Sequence, residues 1–477
     1  MTIEWSGLGP ELLVRLDRSA REPLRAQLEA SLREAIRSGR LRAGERLPSS
    51  RKLAAELGVA RGMVMECYGQ LLAEGYLTSQ TGSATRVADL SGGQTAVVAP
   101  PPVPRTSRPP QPPLIADFEP ALPDLSSFPR TDWAWAVKQA CTEATVADLR
   151  YGDPRGSAAL REVLAGYLRR VRAAHADPAR MIVSTGFAQG VNLVLRALAR
   201  QAGVTRVAFE DPGYGRAQDD ETVRAVLAMG LQVAYVPVDP EGLVITDLVA
   251  SGAQVVVVTP AHQSPTGVVL SPGRRHALTG WARRGGYVIE DDYDSEFRYD
   301  SEPVGVLQGL APDQVFLLGT ASKSLAPAVR LGWVHAPAPL AAAVADEKEM
   351  SDRGSCTLDQ LALARLLTTG RYDRHLRRMR TVYGARRATL TEAFARHAPR
   401  ARLTGLAAGF QAMASLPPGA DETEVIAAAR ERRVGLHGIG SFCADPDAAP
   451  PGLVIGFGNV RERAIEPAIA AVADLLS

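Results

Sequence analysis

Lysine is almost missing from this chain. Of 54 Lys+Arg residues in 477, four are lysine: Lys52, Lys138, Lys323 and Lys348. Arginine is therefore the default cation, and each lysine asks for a reason. Cysteine is equally sparse. Cys67, Cys141, Cys356 and Cys443 show neither pairing nor metal-ligand spacing, which excludes a disulfide scaffold and a zinc site and predicts reduced, mostly buried thiols. No uninterrupted apolar run approaches the roughly 20 residues that a membrane span requires. The first twenty residues lack a basic segment followed by an apolar core, so no membrane association and a cytoplasmic location are expected. A large excess of one charge is lacking too, the net charge being +2. Any nucleic-acid contact must then come from a local patch rather than from the overall field. No internal repeat stands out.

The remaining composition, 46% hydrophobic and 22% charged, is that of a chain able to bury several cores. Its clearest boundary is SGGQTAVVAPPPVPRTSRPPQPP, residues 91–113, where eight of 23 residues are proline. Such a stretch favours an extended spacer over helix or sheet, with a proline-rich ligand for a partner domain as the other reading. It predicts three parts: 1–90, the linker 91–113, and 114–477.

In the first part Leu24, Leu28, Leu32 and Ile36 recur at helical spacing, ending near Gly39. A short helix follows a Ser cap at 49 or 50 and stops at Gly58. A third carries Val64, Cys67, Tyr68, Leu71 and Leu72 on one stripe, and two short strands flank a turn at Thr81 to Ala84. Three helices and a hairpin predict a winged helix-turn-helix. Between Arg21 and Arg86 eleven Lys+Arg face seven Glu, an excess of four. In such modules the second helix of the pair enters the major groove, its N-terminal residues against base edges. That places Arg61 at the bases, Arg51 and Lys52 near the phosphates, and the wing tip Thr81-Gly82-Ser83 at the adjacent minor groove. On pattern alone, a protein-interaction domain remains the alternative.

The third part alternates short β-branched runs (181–183, 207–209, 233–236, 255–259, 287–289 and 315–318) with helical segments, predicting a mostly parallel sheet covered by helices on both faces. From about Asp346 a smaller α+β region is expected. Within the third part GTASKSLAPAVRLGW, 319–333, sets Lys323 in a Ser/Thr-rich turn. A Schiff-base amine must lose its proton, which lysine can be tuned to do and arginine cannot; an incidental surface lysine is the plain alternative. Upstream, YVIEDDYDSEFRY ends an apolar run in Asp291 and Asp292. A carboxylate at a buried strand end demands a cation, and a protonated pyridine nitrogen is one. Asp292 reads as a solvated or structural neighbour. The turn Thr185-Gly186-Phe187-Ala188-Gln189 leads a strand into a helix and presents backbone N–H groups suited to phosphate.

Two resemblances follow from these strings. Residues 23–88, with LPSSR and the arginine opening the third helix, look like the DNA-binding domain of the GntR family. That implies contacts from Arg51 and Arg61, although Ala60, Gly62 and Met63 replace the Ser/Thr and Asn-type residues common there. From about Pro120 onward YGDPRGSAALREVLAGYL, EDPGYGRA, TPAHQSPTG, IEDDYDSEFRY and GTASKSLAPAVRLGW resemble the fold-type I aminotransferases that use pyridoxal 5′-phosphate (PLP). The resemblance implies Lys323 holding PLP as an internal aldimine, Asp291 on the pyridine nitrogen, Tyr293 on the ring hydroxyl and Tyr214 stacked on the ring. Phosphate would go to Thr320, Ser322, Arg330 and the Phe187-Ala188 turn, with Tyr151 reaching in from a second subunit. His262 opens HQSPTG, where the family commonly has Asn-Pro-x-Asn-Pro-Thr-Gly, and is grouped with the cofactor residues although the asparagine contact is lost. Where many aminotransferases carry a carboxylate-binding arginine, this chain has Val454 or a close neighbour.

A GntR-like winged helix, a proline-rich linker and an aminotransferase-like domain together resemble the MocR/GabR subfamily of regulators. The resemblance implies a multidomain fold, a winged helix plus an α/β PLP-dependent transferase of fold type I with a large and a small part. It also implies a homodimer, often head-to-tail, on operator DNA. The expected function is regulation of transcription by PLP or an amino compound through aldimine exchange at Lys323, with Arg216 for an effector carboxylate or merely in a salt bridge. An active aminotransferase with an accessory DNA-binding domain is the alternative, and a PLP-responsive regulator of vitamin metabolism a third.

Overall fold

The computed structural model describes residues 14, 16–79, 84–89, 113–214, 220–299 and 304–476. Gly82, Arg216 and the linker up to 112 lie outside them. The chain divides into two compact units at 109/110.

In the first unit the helices Leu24–Arg37, Ser50–Leu57 and Arg61–Ala73 pack around Leu28, Leu32, Leu53, Val64, Cys67 and Leu71, all at most 1% exposed. Each helix end follows from its local chemistry. The Ser49 hydroxyl accepts from the Lys52 amide at 3.3 Å, and Gly58 closes the same helix in the left-handed region at φ 61°. Ser49→Ala is expected to destabilise this unit by about 1 kcal/mol in a denaturant titration. Strands Leu77–Thr78 and Arg86–Val87 pair antiparallel, and residues 44–47 join their edge through Gly44 N–H to Val87 O and Leu47 N–H to Thr85 O, both 2.9 Å. This is the winged helix-turn-helix expected from the pattern.

The second unit is built on an eight-stranded sheet whose edge-to-edge order is Met181–Ser184, Gly332–His335, Val315–Thr320, Tyr287–Asp292, Val255–Val258, Arg206–Asp211, Gln232–Asp239 and Gly242–Leu243. Five neighbouring strands, from 315–320 to 232–239, are mutually parallel. Gly332–His335 and the edge strand Gly242–Leu243 run against their neighbours. Central strands are buried on both faces; Val315–Thr320 and Val255–Val258 have no exposed residue, as a sheet covered on both sides requires. Apolar clusters occupy the two faces, one around Val194, Leu198, Phe209 and Phe316, the other around Leu248, Val256, Leu278 and Val288.

The smaller part centres on a three-stranded sheet of Leu403–Thr404, Gln411–Ser415 and Gly452–Gly456, with the 27-residue helix Arg371–His397 and the helices Glu422–Glu431 and Glu462–Ala471. Among the strands not foreseen in the sequence is the one that opens this unit. Ala116–Asp117, directly after the linker, pairs parallel with Val434–Gly435, so the start of this unit is stitched into its C-terminal part.

One expectation is corrected and one narrowed. Cys67 and Cys443 are buried, but Cys141 and Cys356 are exposed, because each sits on a helix or helix cap facing outward. Of the two readings of Asp292 the structural one holds: it accepts a bidentate pair from Arg172, Nη2–Oδ1 2.6 Å and Nε–Oδ2 2.7 Å. Among the described residues no helix is long and apolar enough to cross a membrane, and no group of acidic, His and Cys side chains is arranged to hold a metal.

Candidate cofactor site

The carboxyl ends of the parallel strands converge on one cavity of about 350 Å³, the place where open α/β sheets bind ligands. Phe187 and Ala188 follow the strand 181–184, and Tyr214 follows 206–211. Asp291 and Tyr293 end 287–292, while Thr320, Ser322 and Lys323 end 315–320. All of these and Arg330 line the cavity. Nine sequence-predicted residues separated by up to 143 positions in the chain thus meet at one place.

Glycines in the quoted motifs make that convergence sterically possible. A Cβ at Gly319 would meet the Trp333 indole at 2.5 Å, and one at Gly332 would lie 2.8 Å from Gly186 Cα. Strands and turn can approach only because both positions lack a side chain.

Lys323 extends its amine to the Ala121 carbonyl, 2.7 Å away. Burial pushes its pKa down, opposed by the nearby Asp291 carboxylate, which is the direction a nucleophilic amine needs. Asp291 is 7% exposed. Burial raises its carboxyl to about 7, against the hydrogen bond from Tyr214, whose hydroxyl donates to Oδ2 at 2.8 Å. Oδ1 is buried with no hydrogen-bond partner among the described residues. A buried, half-satisfied carboxylate is costly unless a cation or donor completes it.

At the other end of the cavity the helix Phe187–Ala202 begins after Gly186 without a side-chain cap. The amides of Phe187, Ala188 and Gln189 have no acceptor among the described residues, as the first turn of any helix leaves them. The Arg330 guanidinium lies against Gly186. Thr320 Oγ1 donates to Ser322 Oγ at 2.9 Å and accepts from the Ser322 amide at 3.1 Å. Free amides, a helix N-terminus, two hydroxyls and a guanidinium make a phosphate cradle.

The aldehyde-reactive amine, the orphaned carboxylate oxygen and the cradle fit pyridoxal 5′-phosphate: a carbonyl, a protonatable ring nitrogen and a phosphate. Phe187 and Tyr214 stack on each other, centroids 5.4 Å apart and planes 8° apart, giving the cavity an aromatic wall.

Two sequence-predicted residues do not line this cavity. His262 stands behind Tyr293, its Nδ1 2.8 Å from Asp294 Oδ2 and 3.2 Å from the Tyr293 hydroxyl. Burial opposes charge on that ring, yet the Asp294 carboxylate carries its pKa above the ordinary value. His262 therefore sits against Tyr293 rather than on the cavity wall. Tyr151 is 86% exposed, with the Arg353 guanidinium 5.8 Å over its ring. It borders a separate, open concavity of about 1200 Å³ that contains none of the amine, carboxylate and cradle groups.

Three features escaped the sequence. Ser264 lines the cavity beside Tyr293, and the signal for it lay in HQSPTG itself, one residue before Pro265. Gln263 ties that turn to the next, donating to the Pro212 carbonyl at 2.8 Å. Glu210 accepts from Thr259 Oγ1 at 2.7 Å, and burial raises its carboxyl to about 7. No motif marks it.

Fold and cavity define a fold-type I PLP-transferase architecture attached to a winged helix-turn-helix. The family comparisons agree in both halves. The family described as Aminotransferase class I and II matches residues 121–446, and Bacterial regulatory proteins, gntR family, matches 24–87. The HTH-type pyridoxine biosynthesis transcriptional regulator PdxR of Corynebacterium glutamicum is 32% identical over 455 residues, 94% of this chain and 95% of its own length. The probable rhizopine catabolism regulatory protein MocR of Rhizobium meliloti is 33% identical over 80% of this chain and 79% of its own. Among solved structures, Pyrococcus horikoshii kynurenine aminotransferase superposes with a TM-score of 0.68 at 24% identity, covering 76% of this chain and 91% of that one. The chain belongs to the MocR-type branch of the GntR-family transcriptional regulators, those with an aminotransferase class I and II domain.

Proposed function

We propose that this regulator binds pyridoxal 5′-phosphate at Lys323 and senses either that cofactor or an amino compound exchanging with it. The observation that carries the reading is the pairing, in one cavity, of a half-buried amine with a buried carboxylate whose second oxygen lacks a partner among the described residues. When bound, the cofactor supplies an aldehyde for primary amines. Asp291 would hold the ring nitrogen protonated, Tyr293 and Ser264 would face the ring hydroxyl, and Tyr214 would form one wall. Phe187, Ala188, Thr320, Ser322 and Arg330 would carry the phosphate. An incoming primary amine would compete with Lys323 for that carbonyl carbon, leaving Lys323 as a free amine. A signal emerges only if two domain arrangements differ in affinity for the two forms. Arg216 is assigned to an effector carboxylate.

The working unit is a homodimer, head-to-tail, in the cytoplasm. The exposed Tyr151 is consistent with a residue completing a partner's site. On DNA, Arg51, Lys52 and Arg61 are all exposed, Arg61 opening its helix, and Gly82 is assigned to the wing tip. Arg51→Ala or Arg61→Ala is expected to weaken operator binding by about tenfold, roughly 1.4 kcal/mol, measured by anisotropy at fixed salt.

An active aminotransferase would use the same amine and carboxylate, so one titration decides between the readings. Operator affinity is measured with and without PLP, amino acids and 2-oxoglutarate while glutamate is assayed. A change in operator affinity without turnover supports the regulator. Multiple turnovers without any change in operator affinity would establish the enzyme instead. PLP acting alone would assign the cofactor as effector, in line with the name of the PdxR relative.

A further inference from the structure

Lys348 is the one lysine fully buried among the described residues. Its side chain, on the helix Ala341–Asp352, has no exposure at all. Its three ammonium protons meet three acceptors: Gln189 Oε1 at 3.0 Å, Asp352 Oδ2 at 2.6 Å and Ser355 Oγ at 2.8 Å. A tetrahedral point donor satisfies that arrangement, and the planar fork of arginine does not.

The acceptor that matters is Gln189. Its Oε1 also accepts the Thr185 amide at 2.9 Å, and its Nε2 donates to Asp352 Oδ2 at 2.7 Å. Every polar atom of that amide is used, which fixes its orientation. Thr185 and Gln189 bracket Gly186, Phe187 and Ala188, the turn whose free amides form the cradle. Lys348 touches nothing in the cavity.

We infer that Lys348 is a positioning residue for phosphate: through Gln189 it clamps both ends of the 185–189 turn in the geometry that directs its amides at a bound phosphate group. The inference rests on reading the cavity as a PLP site. Pre-ordering of donors contributes to affinity only for a ligand that uses them. Loss of the clamp should therefore penalise a phosphorylated aldehyde and spare one without phosphate.

The test compares pyridoxal 5′-phosphate with pyridoxal, both captured at Lys323 and followed by imine absorbance, in wild type and Lys348→Met. The expected result is PLP affinity about tenfold weaker, the equivalent of roughly 1.4 kcal/mol, with pyridoxal affinity unchanged within about threefold. Equal losses for both aldehydes would make Lys348 a general structural lysine and overturn the proposal, as would unchanged binding of both. Should Lys348→Met not fold, Gln189→Ala cuts the same link while leaving Lys348 with Asp352 and Ser355, and must show the same ligand-selective loss. If wild type forms no imine with either aldehyde, the PLP reading itself fails and this proposal with it; a normal wild-type imine with an unaffected variant removes only the role of Lys348.

Discussion

Lys323→Ala is expected to abolish covalent capture of pyridoxal 5′-phosphate, taking the imine absorbance to baseline and weakening cofactor retention by at least about a hundredfold. The loss follows from chemistry that no neighbour replaces. Lys323 is the lysine lining the cavity, and the fully buried lysine, Lys348, is held in three hydrogen bonds outside it. Lys323→Arg makes the argument sharper. Its guanidinium keeps the positive charge beside Asp291 but does not deprotonate, so it too should form no imine. The fold should survive, since the native amine contributes one hydrogen bond, to Ala121, on the order of 1 kcal/mol. Operator binding by both variants should be intact but deaf to amines. A visible imine band in either variant would sink the assignment of Lys323.

How far the sequence led can be judged at particular residues. Lys323, Asp291, Tyr293 and the Phe187-Ala188 turn were legible because each ends an apolar, strand-like run, and strand ends on a parallel sheet converge. The six strands read from periodicity all exist. The two omitted from the large sheet run against their neighbours: Gly332–His335 is four residues opened by glycine, and Gly242–Leu243 is two, too short to show a period. Ala116–Asp117 was hidden for the same reason. His262 was assigned from its place in a motif, but the partners of a side chain are not a property of motif order; Asp294, 32 residues away, holds its ring at Nδ1. Arg172 and Asp292 lie 120 positions apart, so nothing local announced that the second aspartate was spoken for. Lysine scarcity was the most informative compositional signal. It singled out Lys323 at once and, only after Gln189 and Asp352 were located around it, Lys348.

Asp291→Asn should separate stability from function. This carboxyl is buried with one oxygen unsatisfied among the described residues, and burial raises its pKa to about 7, above the ordinary carboxylate value. A raised acid pKa means that the folded state binds the proton more tightly, so the unfavourable cost of ionisation grows from about pH 4 and levels off above about pH 7. Asparagine removes that cost without changing the volume. Relative to wild type, cofactor-free Asp291→Asn should therefore gain on the order of 2 kcal/mol of unfolding free energy between pH 5 and pH 8, read from parallel denaturant titrations. Cofactor affinity should move the other way. An amide cannot neutralise a ring cation, and its N–H₂ would face the ring nitrogen with a donor, so PLP binding should fall by about a hundredfold, roughly 3 kcal/mol. The wild-type site is thus destabilised until its ligand arrives, the usual condition of a binding carboxylate held in advance of its partner. If the two proteins show the same pH dependence of stability, burial of an ionising Asp291 is not what the cavity stores.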